Sequence, residues 1–297
     1  MLRSGFVSIL GRPNAGKSTL LNALLGQKLS IVSSRPQTTR ASIQGVLTTG
    51  DAQIALIDTP GIHKSDSLLN KRMMDTVRAH AQADVVLFLI DALAPFSESD
   101  PEAVDLVKKI SAPVLAVFNK IDALRDKPRL LELIERYRVL HSFAEYIPIS
   151  ALTGEGLGIL RREVVKRLPE GPPLFPEDHL TDQPERFLAA EIVREKVLEL
   201  TRQEVPHAVA VTIESWQEGG RLLRLAATIY VERQGQKAIL IGAGGWLLKK
   251  IGTLARQELE KVFNKKVFLQ TFVKVRPGWR EDPEFLAAID WRSVSGT

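Results

Sequence analysis

The sequence predicts an α/β domain with a doubly wound, mostly parallel sheet, followed by a smaller α+β domain. In the first half, short apolar runs alternate with helical patterns, which is typical of a parallel sheet covered by helices on both faces. A glycine-rich turn joins the first predicted strand to the first predicted helix. A segment rich in proline and acidic residues then precedes a second half with a different order of elements. The length of 297 residues suits two domains of ordinary size.

Six apolar runs predict the strands of the first domain. The strands are predicted at Phe6–Leu10, Ile43–Leu47, Gln53–Ile57, Val85–Ile90, Val114–Phe118 and Tyr146–Ile149. Helices are predicted at Ser18–Leu25, Leu68–Ala81, Glu102–Lys109, Arg129–Leu140 and Leu157–Leu168. Ligands bind at the carboxyl ends of the strands in such sheets, so the residues directly after each strand are candidates for a site.

The turn after the first strand has the spacing of a phosphate-binding loop, with Gly11 and Gly16 followed by Lys17 and Ser18. Its glycines let successive backbone N–H groups point at an anion, and the next helix adds its partial positive charge there. We expect Lys17 to reach the β- and γ-phosphates and Ser18 to bind Mg²⁺. The alternative is an ordinary turn that opens a helix. The candidate nucleotide-binding residues here are Gly11, Arg12, Pro13, Asn14, Ala15, Gly16, Lys17, Ser18 and Thr19.

A second motif, Asp58-Thr59-Pro60-Gly61, directly follows the predicted strand Gln53–Ile57. An aspartate at this strand end can hold Mg²⁺ through water, and Gly61 has the N–H and the flexibility to meet a γ-phosphate. Taken alone, these four residues also suit a plain turn. Their place after the phosphate loop favours a site role, and we include the next residue, Ile62, among the candidate nucleotide-binding residues.

Two further motifs predict which base the bound nucleotide carries. Asn119-Lys120-Ile121-Asp122 follows the predicted strand Val114–Phe118, and Ser150-Ala151-Leu152 follows Tyr146–Ile149. The Asp122 carboxylate can accept hydrogen bonds from the N1–H and the exocyclic amine of guanine, a pair of donors that adenine lacks. We expect Asn119 and Lys120 to brace the loop and the backbone N–H of Ala151 to approach the guanine oxygen. A helix-capping turn is the alternative for the last motif.

In their order along residues 5–168, these motifs resemble those of the translation-factor-related P-loop GTPases. The resemblance implies a P-loop GTPase domain that couples GTP binding and hydrolysis to a conformational switch. It also implies a Mg²⁺-binding threonine between the first two motifs. Thr39 is favoured because it directly precedes an arginine, and Thr38 is the alternative ligand. The candidate catalytic residues are then Lys17, Thr39 and Gly61, and the candidate metal ligands are Ser18, Thr39 and Asp58.

One departure from Ras-like enzymes concerns the attacking water. Ile62 stands where those enzymes place the glutamine that orients this water. Isoleucine cannot form a hydrogen bond with water. We therefore expect slow unaided hydrolysis that depends on Lys17, Mg²⁺ and backbone groups.

The amino-acid composition excludes some kinds of functional site and permits others. The chain contains no cysteine, which excludes disulfides, thiolate metal sites and cysteine nucleophiles. The N-terminus shows no signal segment and no apolar run approaches 18 residues, so we expect a cytoplasmic protein. A formal net charge of +5 permits a nucleic-acid partner without requiring one.

The second half predicts the element order α-β-β-α-α-β. The elements are predicted at Phe187–Gln203, Ala208–Trp216, Leu222–Val231, Gln236–Leu240, Trp246–Asn264 and Lys266–Val275. Before them, prolines and four acidic residues without Lys or Arg mark a linker. We therefore predict a first domain at residues 1–168, a linker at 169–184 and a second domain with a C-terminal tail at 185–297.

A Gly-x-x-Gly turn joins the two middle helices of the second half, and this order resembles a KH domain of the prokaryotic type (type II). The glycines would let phosphates approach the backbone. Between Lys249 and Arg276 there are eight basic residues against two acidic ones, which favours RNA, although such runs are often solvated helix faces. The loop lacks the lysine or arginine common in KH loops. The candidate RNA-binding residues are Gly242, Ala243, Gly244, Gly245, Trp246, Lys249 and Lys250, with a core role equally open for Trp246.

As a whole, the chain resembles the Era-like family of bacterial P-loop GTPases. The specific segments are Gly11–Ser18, Pro36–Arg40, Pro176–Arg186 and Val273–Trp279. The resemblance implies that a GTP/GDP switch with Mg²⁺ binds the 3′ end of 16S rRNA and acts in maturation of the small ribosomal subunit. It also implies peripheral association with the inner face of the cell membrane, and we expect a monomer. The alternative is an RNA-binding module in which the nucleotide is structural and turnover is negligible.

Overall fold

The structure is a computed structural model that describes residues 2–33, 35, 38–61, 83–202 and 205–290. The predicted helix Leu68–Ala81 and Ile62 lie outside these residues. The chain forms two compact units. Among the described residues, the first unit comprises 2–30, 39–61 and 83–182, and the second comprises 31–33, 35, 38, 183–202 and 205–290.

The first unit contains a six-stranded sheet with the order β2-β3-β1-β4-β5-β6. Its strands are β1 (Arg3–Gly11), β2 (Ile43–Thr48), β3 (Ala52–Asp58), β4 (Val85–Asp91), β5 (Val114–Asn119) and β6 (Glu145–Pro148). All neighbouring strands are parallel except β2, which pairs antiparallel with β3 at one edge. The predicted doubly wound, mostly parallel sheet is therefore confirmed.

Both faces of this sheet are buried, which explains the continuous apolar runs of its strands. The helices are α1 (Lys17–Leu25), α2 (Ser99–Val107), α3 (Lys127–Leu140) and α4 (Leu157–Arg167). Leu87 of β4 belongs to the core cluster that includes α1 and α4 residues, whereas its neighbour Phe88 belongs to the cluster with α2 and α3 residues. The two cores thus lie on opposite faces, as the alternation of side chains along a strand requires.

The segment from Pro169 to Asp182 packs on the first unit. Gln53 of β3 accepts the N–H groups of Leu174 and Phe175 at 2.7 and 2.9 Å and donates to the Phe175 carbonyl at 2.9 Å. The Phe175 ring meets Phe6 edge to face, with centroids 6.4 Å apart. The extended backbone favoured by the prolines is therefore held by hydrogen bonds to the sheet's own strands.

The second unit contains α5 (Glu185–Leu200), β7 (Ala210–Gly219), β8 (Leu222–Val231), α6 (Gln234–Ile241), α7 (Trp246–Phe263), β9 (Lys266–Val275) and α8 (Pro283–Ile289). Its sheet has the order β7-β8-β9, with β7 antiparallel and β9 parallel to β8. On α7, Leu247, Ile251, Ala255 and Leu259 are buried at intervals of four residues, so one face of the helix packs on the sheet. The predicted order α-β-β-α-α-β is confirmed.

The helix α8 has no counterpart among the sequence predictions. The Asp282 carboxylate caps it by accepting the N–H groups of Glu284 and Phe285, each at 3.1 Å. Before it, Trp279 is fully buried and donates its indole N–H to the Ala208 carbonyl at 3.0 Å. These contacts fix the C-terminal segment on the second unit.

Residues 31–33, 35 and 38 follow α1 in sequence but belong to the second unit. Ile31 lies in its apolar core with Val193 and Val197. The Val32 N–H donates to Glu195 Oε1 at 2.8 Å, and the Arg35 guanidinium donates to the Thr201 carbonyl at 3.0 Å. This segment therefore packs against α5 and the residue that follows it.

No single helix in the described ranges is both long and apolar enough to cross a bilayer. The pair Gln234–Ile241 and Ala243–Phe263, bent by 46°, reaches that length and composition only when the two are taken together.

Candidate functional site

The phosphate-binding loop has the shape that its glycines predict. Gly11 and Gly16 have φ values of 153° and 98°. A Cβ at Gly16 would lie 2.3 Å from Asn119 Nδ2, and one at Gly11 would lie 2.4 Å from the Leu89 carbonyl oxygen. Both positions therefore require glycine for conformation and for space. Asn14, at φ 62°, tolerates the left-handed region as asparagine often does.

Lys17 points into the interior of this loop. Its ammonium donates to the Gly11 and Arg12 carbonyls at 3.1 and 3.0 Å. Burial lowers the pKa of Lys17 to about 8, against the opposing attraction of Asp58. A buried ammonium whose hydrogen bonds to described residues all go to carbonyls is placed to exchange those partners for phosphate oxygens.

The three candidate metal ligands come together at the end of β3. Ser18 Oγ donates to Asp58 Oδ2 at 2.6 Å and lies 2.8 Å from Thr39 Oγ1. Asp58 is fully buried, and its Oδ1 has no hydrogen-bond partner among the described residues. Burial raises the pKa of Asp58, although Lys17 and the surrounding hydroxyls oppose the shift. A buried carboxylate with a free oxygen and two hydroxyls beside it fits Mg²⁺, a cation that prefers oxygen ligands.

The structure separates the two candidate threonines. The Thr39 hydroxyl lies in this cluster, 3.4 Å from Asp58 Oδ2, whereas the Thr38 hydroxyl donates to the Arg35 carbonyl at 2.6 Å. Ser30 also belongs to the cluster, since its buried hydroxyl donates to Asp58 Oδ2 at 3.0 Å. Sequence reasoning missed Ser30 because no motif spacing marks it.

The second motif lies against the phosphate loop. A Cβ at Gly61 would lie 2.8 Å from Pro13, so only glycine allows this approach. The Thr59 hydroxyl is buried and donates to the Ile9 carbonyl at 2.8 Å, which ties the motif to β1. Pro60, between Thr59 and Gly61 in the sequence, is also buried.

Asn119 joins the base-selecting motifs to the phosphate loop. Its Nδ2 donates to the Ala15 carbonyl at 2.9 Å, and its Oδ1 accepts the Ala151 N–H at 2.9 Å. Lys120, at φ 73°, donates to the Asn14 carbonyl at 2.8 Å and to Asp91 Oδ2 at 2.6 Å. Asp91 is a residue that sequence reasoning missed, although its place at the end of β4 could have marked it.

Asp122 is exposed on the short turn Ile121–Ala123, where its carboxylate can meet a base. Ser150 is fully buried, and its hydroxyl accepts the Thr153 N–H at 3.1 Å. The Ala151 N–H, expected to approach the guanine oxygen, donates to Asn119 in this structure. Leu152, the next residue, is 79% exposed.

Arg12 reaches outward from the phosphate loop to a buried carboxylate. Its guanidinium donates to both oxygens of Asp100, at 3.1 and 2.9 Å. The Tyr137 hydroxyl donates to Asp100 Oδ1 at 2.6 Å, and Ser97 donates through its N–H and hydroxyl to Oδ2 at 2.8 and 3.0 Å. Burial alone would raise the pKa of Asp100, but these hydrogen bonds outweigh it and the pKa is lowered.

The Gly-x-x-Gly turn of the second unit is open to solvent. Gly242, Gly244 and Gly245 have φ values of 71°, 61° and 80°. A Cβ at Gly242 would lie 2.8 Å from the Trp246 ring, whereas Gly244 and Gly245 face open space. Ala243, Lys249 and Lys250 are exposed, and Trp246 is 55% exposed at the start of α7. The turn thus presents its backbone, a helix N-terminus and two lysines on the second unit.

Comparisons with known proteins identify the families of both domains. The model of the 50S ribosome-binding GTPase family matches residues 6–120, and that of the KH domain matches residues 204–280. GTPase Era of Geobacter metallireducens is 52% identical over 97% of this chain and 98% of that protein. GTPase Era of Syntrophus aciditrophicus is 48% identical over 96% of this chain and 94% of that protein.

Two solved structures resemble the chain over nearly its whole length. A variant of Aquifex aeolicus Era bound to GDP·AlF4⁻ superposes with a TM-score of 0.92 at 44% identity, covering 96% of this chain and 98% of that one. A structure of Era with MgGDPNP and nucleotides 1506–1542 of 16S ribosomal RNA superposes with a TM-score of 0.93 at the same identity and coverage. On the strength of these identities and coverages, the chain belongs to the GTPase Era family.

Proposed function

We propose that this GTPase binds GTP and GDP with Mg²⁺ in the first unit and binds the 3′ end of 16S rRNA through the Gly-x-x-Gly turn of the second. In this proposal the bound nucleotide sets access to the RNA, and the chain acts in maturation of the small ribosomal subunit. The observation that supports it most is the cluster of Ser18, Thr39 and Asp58 beside Lys17. Three oxygen ligands from separate segments and a buried ammonium beside them suit a nucleoside triphosphate with its cation.

Each residue of the first unit then has a role that follows from its position. Lys17 would leave the Gly11 and Arg12 carbonyls for the β- and γ-phosphates. Ser18, Thr39 and Asp58 would hold Mg²⁺, which neutralises charge that develops on the phosphate oxygens. The Gly61 N–H would meet the γ-phosphate, a position that its contact with Pro13 supports. Water attacks the γ-phosphorus, the bond to the β–γ bridging oxygen breaks, and GDP leaves.

The proposal for the base rests on Asp122. Its carboxylate is exposed beside Lys120, and Asn119 fixes the loop to Ala15 and to Ala151. A carboxylate in this place accepts two donors from guanine and would be left unpaired by adenine. The candidate nucleotide-binding residues of the motifs at 119–122 and 150–152 are proposed on this ground.

The proposal for RNA rests on the second unit and on the solved relative that contains nucleotides 1506–1542 of 16S ribosomal RNA. The exposed turn at Gly244 and Gly245 lets phosphates approach the backbone, and Lys249 and Lys250 supply positive charge. We also propose domain limits of 1–168, 169–184 and 185–297, which the unit boundary after Asp182 supports. A cytoplasmic monomer with peripheral contact to the inner face of the membrane rests on the family resemblance alone.

The experiment is multiple-turnover GTP hydrolysis with and without an RNA that copies the 3′ end of 16S rRNA. A Gly245→Asp variant places a carboxylate where phosphates would approach, at a φ of 80°. Gly220→Asp is the matched control, since Gly220 lies in the β7–β8 turn of the same unit with φ 57° and open space around it. Both variants carry the same charge and a similar backbone strain.

We expect RNA to change the hydrolysis rate of the wild type and of Gly220→Asp but not that of Gly245→Asp. If RNA binds but leaves the rate of GTP hydrolysis unchanged, the alternative of two uncoupled activities would be favoured. Negligible turnover under all conditions would favour the alternative of an RNA-binding module with a structural nucleotide.

A further inference from the structure

The second unit exposes two aromatic rings on the face of its sheet that points away from the helices. Phe268 and Phe272 of β9 are 51% and 50% exposed. Val267 and Val273 on the same strand are buried in the core. Because side chains alternate along a strand, the even-numbered residues of β9 all lie on this outer face. The two rings are four residues apart, about 13 Å along the strand.

Basic side chains surround these rings. Lys266 and Lys274 lie on the same face at the two ends of β9, and Arg224 of β8 is paired in register with Phe268. In the described part of the chain, none of these three forms an ion pair. One acid lies nearby, Glu214, whose carboxylate accepts hydrogen bonds from the Thr212 and Tyr230 hydroxyls at 2.6 and 3.2 Å. The face is therefore basic as well as aromatic.

Among the described residues, helix α8 covers one end of this face. Phe285 of α8 meets Tyr230 edge to face, with ring centroids 4.9 Å apart, and the Arg276 guanidinium lies over Phe285. Thr271, an odd-numbered residue of β9, lies against Gly252 of α7 on the opposite face. The Gly-x-x-Gly turn before α7 is thus on the helical side of the sheet, and the exposed rings are on the other side.

We propose that this outer face, defined by Arg224, Lys266, Phe268, Gln270, Phe272 and Lys274, is a second RNA-binding surface on which unpaired bases stack. A sheet face with spaced aromatic rings and basic side chains at its rim is the arrangement on which single-stranded bases stack in other RNA-binding domains. Gln270, between the rings, offers a donor and an acceptor to a base edge. The rings are half-buried among polar neighbours on a strand, so they do not form the apolar helix face that enters a lipid interface.

The inference rests on the proposed RNA-binding function and extends it. A Gly-x-x-Gly turn clamps about four nucleotides. The solved relative was crystallised with nucleotides 1506–1542, a span of 37. An RNA of that length extends well beyond one such turn, so some of its nucleotides are free to reach a further surface of the protein.

The test compares two RNAs with the full chain in the presence of Mg²⁺ and a GTP analogue. One RNA spans 37 nucleotides and corresponds to nucleotides 1506–1542; the other is its shortest fragment whose binding is lost in Gly245→Asp. Fluorescence anisotropy gives the Kd of each RNA for the wild type and for the double variant Phe268→Ala/Phe272→Ala. We expect the double variant to bind the long RNA roughly ten- to a hundredfold more weakly and the short RNA unchanged.

Two controls separate stacking from other effects. Phe268→Tyr/Phe272→Tyr keeps both rings and should restore the affinity for the long RNA. Leu131→Ala removes an apolar side chain that is 67% exposed on α3 of the first unit, and it should leave both affinities unchanged. Lys266→Gln should reduce the slope of log Kd against log salt for the long RNA by about one.

An unchanged affinity of the double variant for the long RNA would overturn the inference, and so would equal weakening of both RNAs. If the double variant lost binding to vesicles containing phosphatidylglycerol while its RNA affinities stayed intact, the face would be a membrane contact and the inference wrong. Absence of binding by the wild type to either RNA would instead overturn the proposed RNA-binding function, and this inference with it.

Discussion

At the scale of single residues, short motifs that are far apart in sequence meet through a few side chains. Asn119 is the main one, because it contacts the loop at Ala15 and the backbone of Ala151. Its amide also lies so close to Gly16 that any side chain there would collide with it. The spacing of the motifs predicts that they share a site, and Asn119 is the physical link between them.

The first prediction concerns the two threonines. Thr39→Ala should lower the apparent Mg²⁺ affinity and the rate of GTP hydrolysis by at least about tenfold, because it removes an oxygen beside Ser18 and Asp58. Thr38→Ala should change the rate little, since the Thr38 hydroxyl bonds to the Arg35 carbonyl. Steady-state hydrolysis over a Mg²⁺ titration measures both. A larger effect for Thr38→Ala would contradict this assignment.

The second prediction concerns the base. Asp122→Asn should weaken GTP binding and shift preference toward xanthosine triphosphate, because the amide can donate to the xanthine oxygen that replaces the guanine amine. Competition between the two nucleotides for the variant measures the shift. Asp126→Asn, a change of the same type at the residue before α3, is the control and should leave the preference as it is. Undiminished GTP selectivity in Asp122→Asn would remove Asp122 from the site.

At the scale of elements, helices packed against the sheet hold the phosphate loop from outside. Asp100 at the start of α2 receives hydrogen bonds from Arg12 of the loop and from Tyr137 of α3. The loop is thus fixed on its inner side by Lys17 and on its outer side by Arg12. No local pattern in the sequence predicts this connection, because the three residues come from separate elements.

The third prediction follows from this network. Asp100→Asn should lower the free energy of unfolding by about 1.5–3 kcal/mol at neutral pH, because hydrogen bonds to the buried charged carboxylate are lost. The lowered pKa of Asp100 means that its stabilising effect is present above the ordinary value of 3.8 and disappears as pH falls through the folded-state pKa. Denaturant unfolding at pH 7 and near pH 3 should therefore show the variant's deficit shrinking in acid.

Glu98→Gln, at an exposed residue directly before α2, is the control for a change of charge at this helix, and its deficit should be small and should lack this pH dependence. An Asp100→Asn deficit that stayed constant from pH 7 to pH 3 would contradict the network's electrostatic basis.

At the scale of the whole molecule, the boundary between the units does not follow the order of the sequence. The segment that contains Ile31 follows the phosphate-loop helix, yet Ile31 is 1% exposed in the core of the second unit. Eight residues later, Thr39 is part of the first unit and lies beside Asp58. A candidate Mg²⁺ ligand is therefore close in sequence to a core residue of the other unit.

The fourth prediction tests which of the two units the Ile31 side chain stabilises. Ile31→Ala should destabilise the second unit by about 2–5 kcal/mol, as expected for a large apolar side chain removed from a packed core. Hydrogen exchange should then speed up in β7–β9. Val32→Ala, at a residue that is 40% exposed, should have little effect on these strands. Faster exchange confined to β1–β6 would show that Ile31 belongs to the first core.

Within the described residues, the positions of the strands and of most helices could be predicted from sequence, because apolar periodicity reports burial directly. Predicted β8 and β9 have the same limits in the structure, and each of the other predicted strands differs by one to three residues at one or both ends. The helix α8 was missed because it has only seven residues and its role depends on Trp279 and Phe285 packing on distant strands. Asp91 and Ser30 were missed because single polar residues have no spacing to recognise.

The sequence by itself determined the order of the motifs, the alternation of elements and the positions that must be glycine. These are local properties, since backbone conformation and apolar period depend on neighbouring residues. Only the tertiary structure decided that Thr39 rather than Thr38 joins Ser18 and Asp58, that Ala151 donates to Asn119, and that Ile31 packs in the second core. These outcomes depend on contacts between residues far apart in the chain, and such contacts exist only once the sheet and its helices have packed.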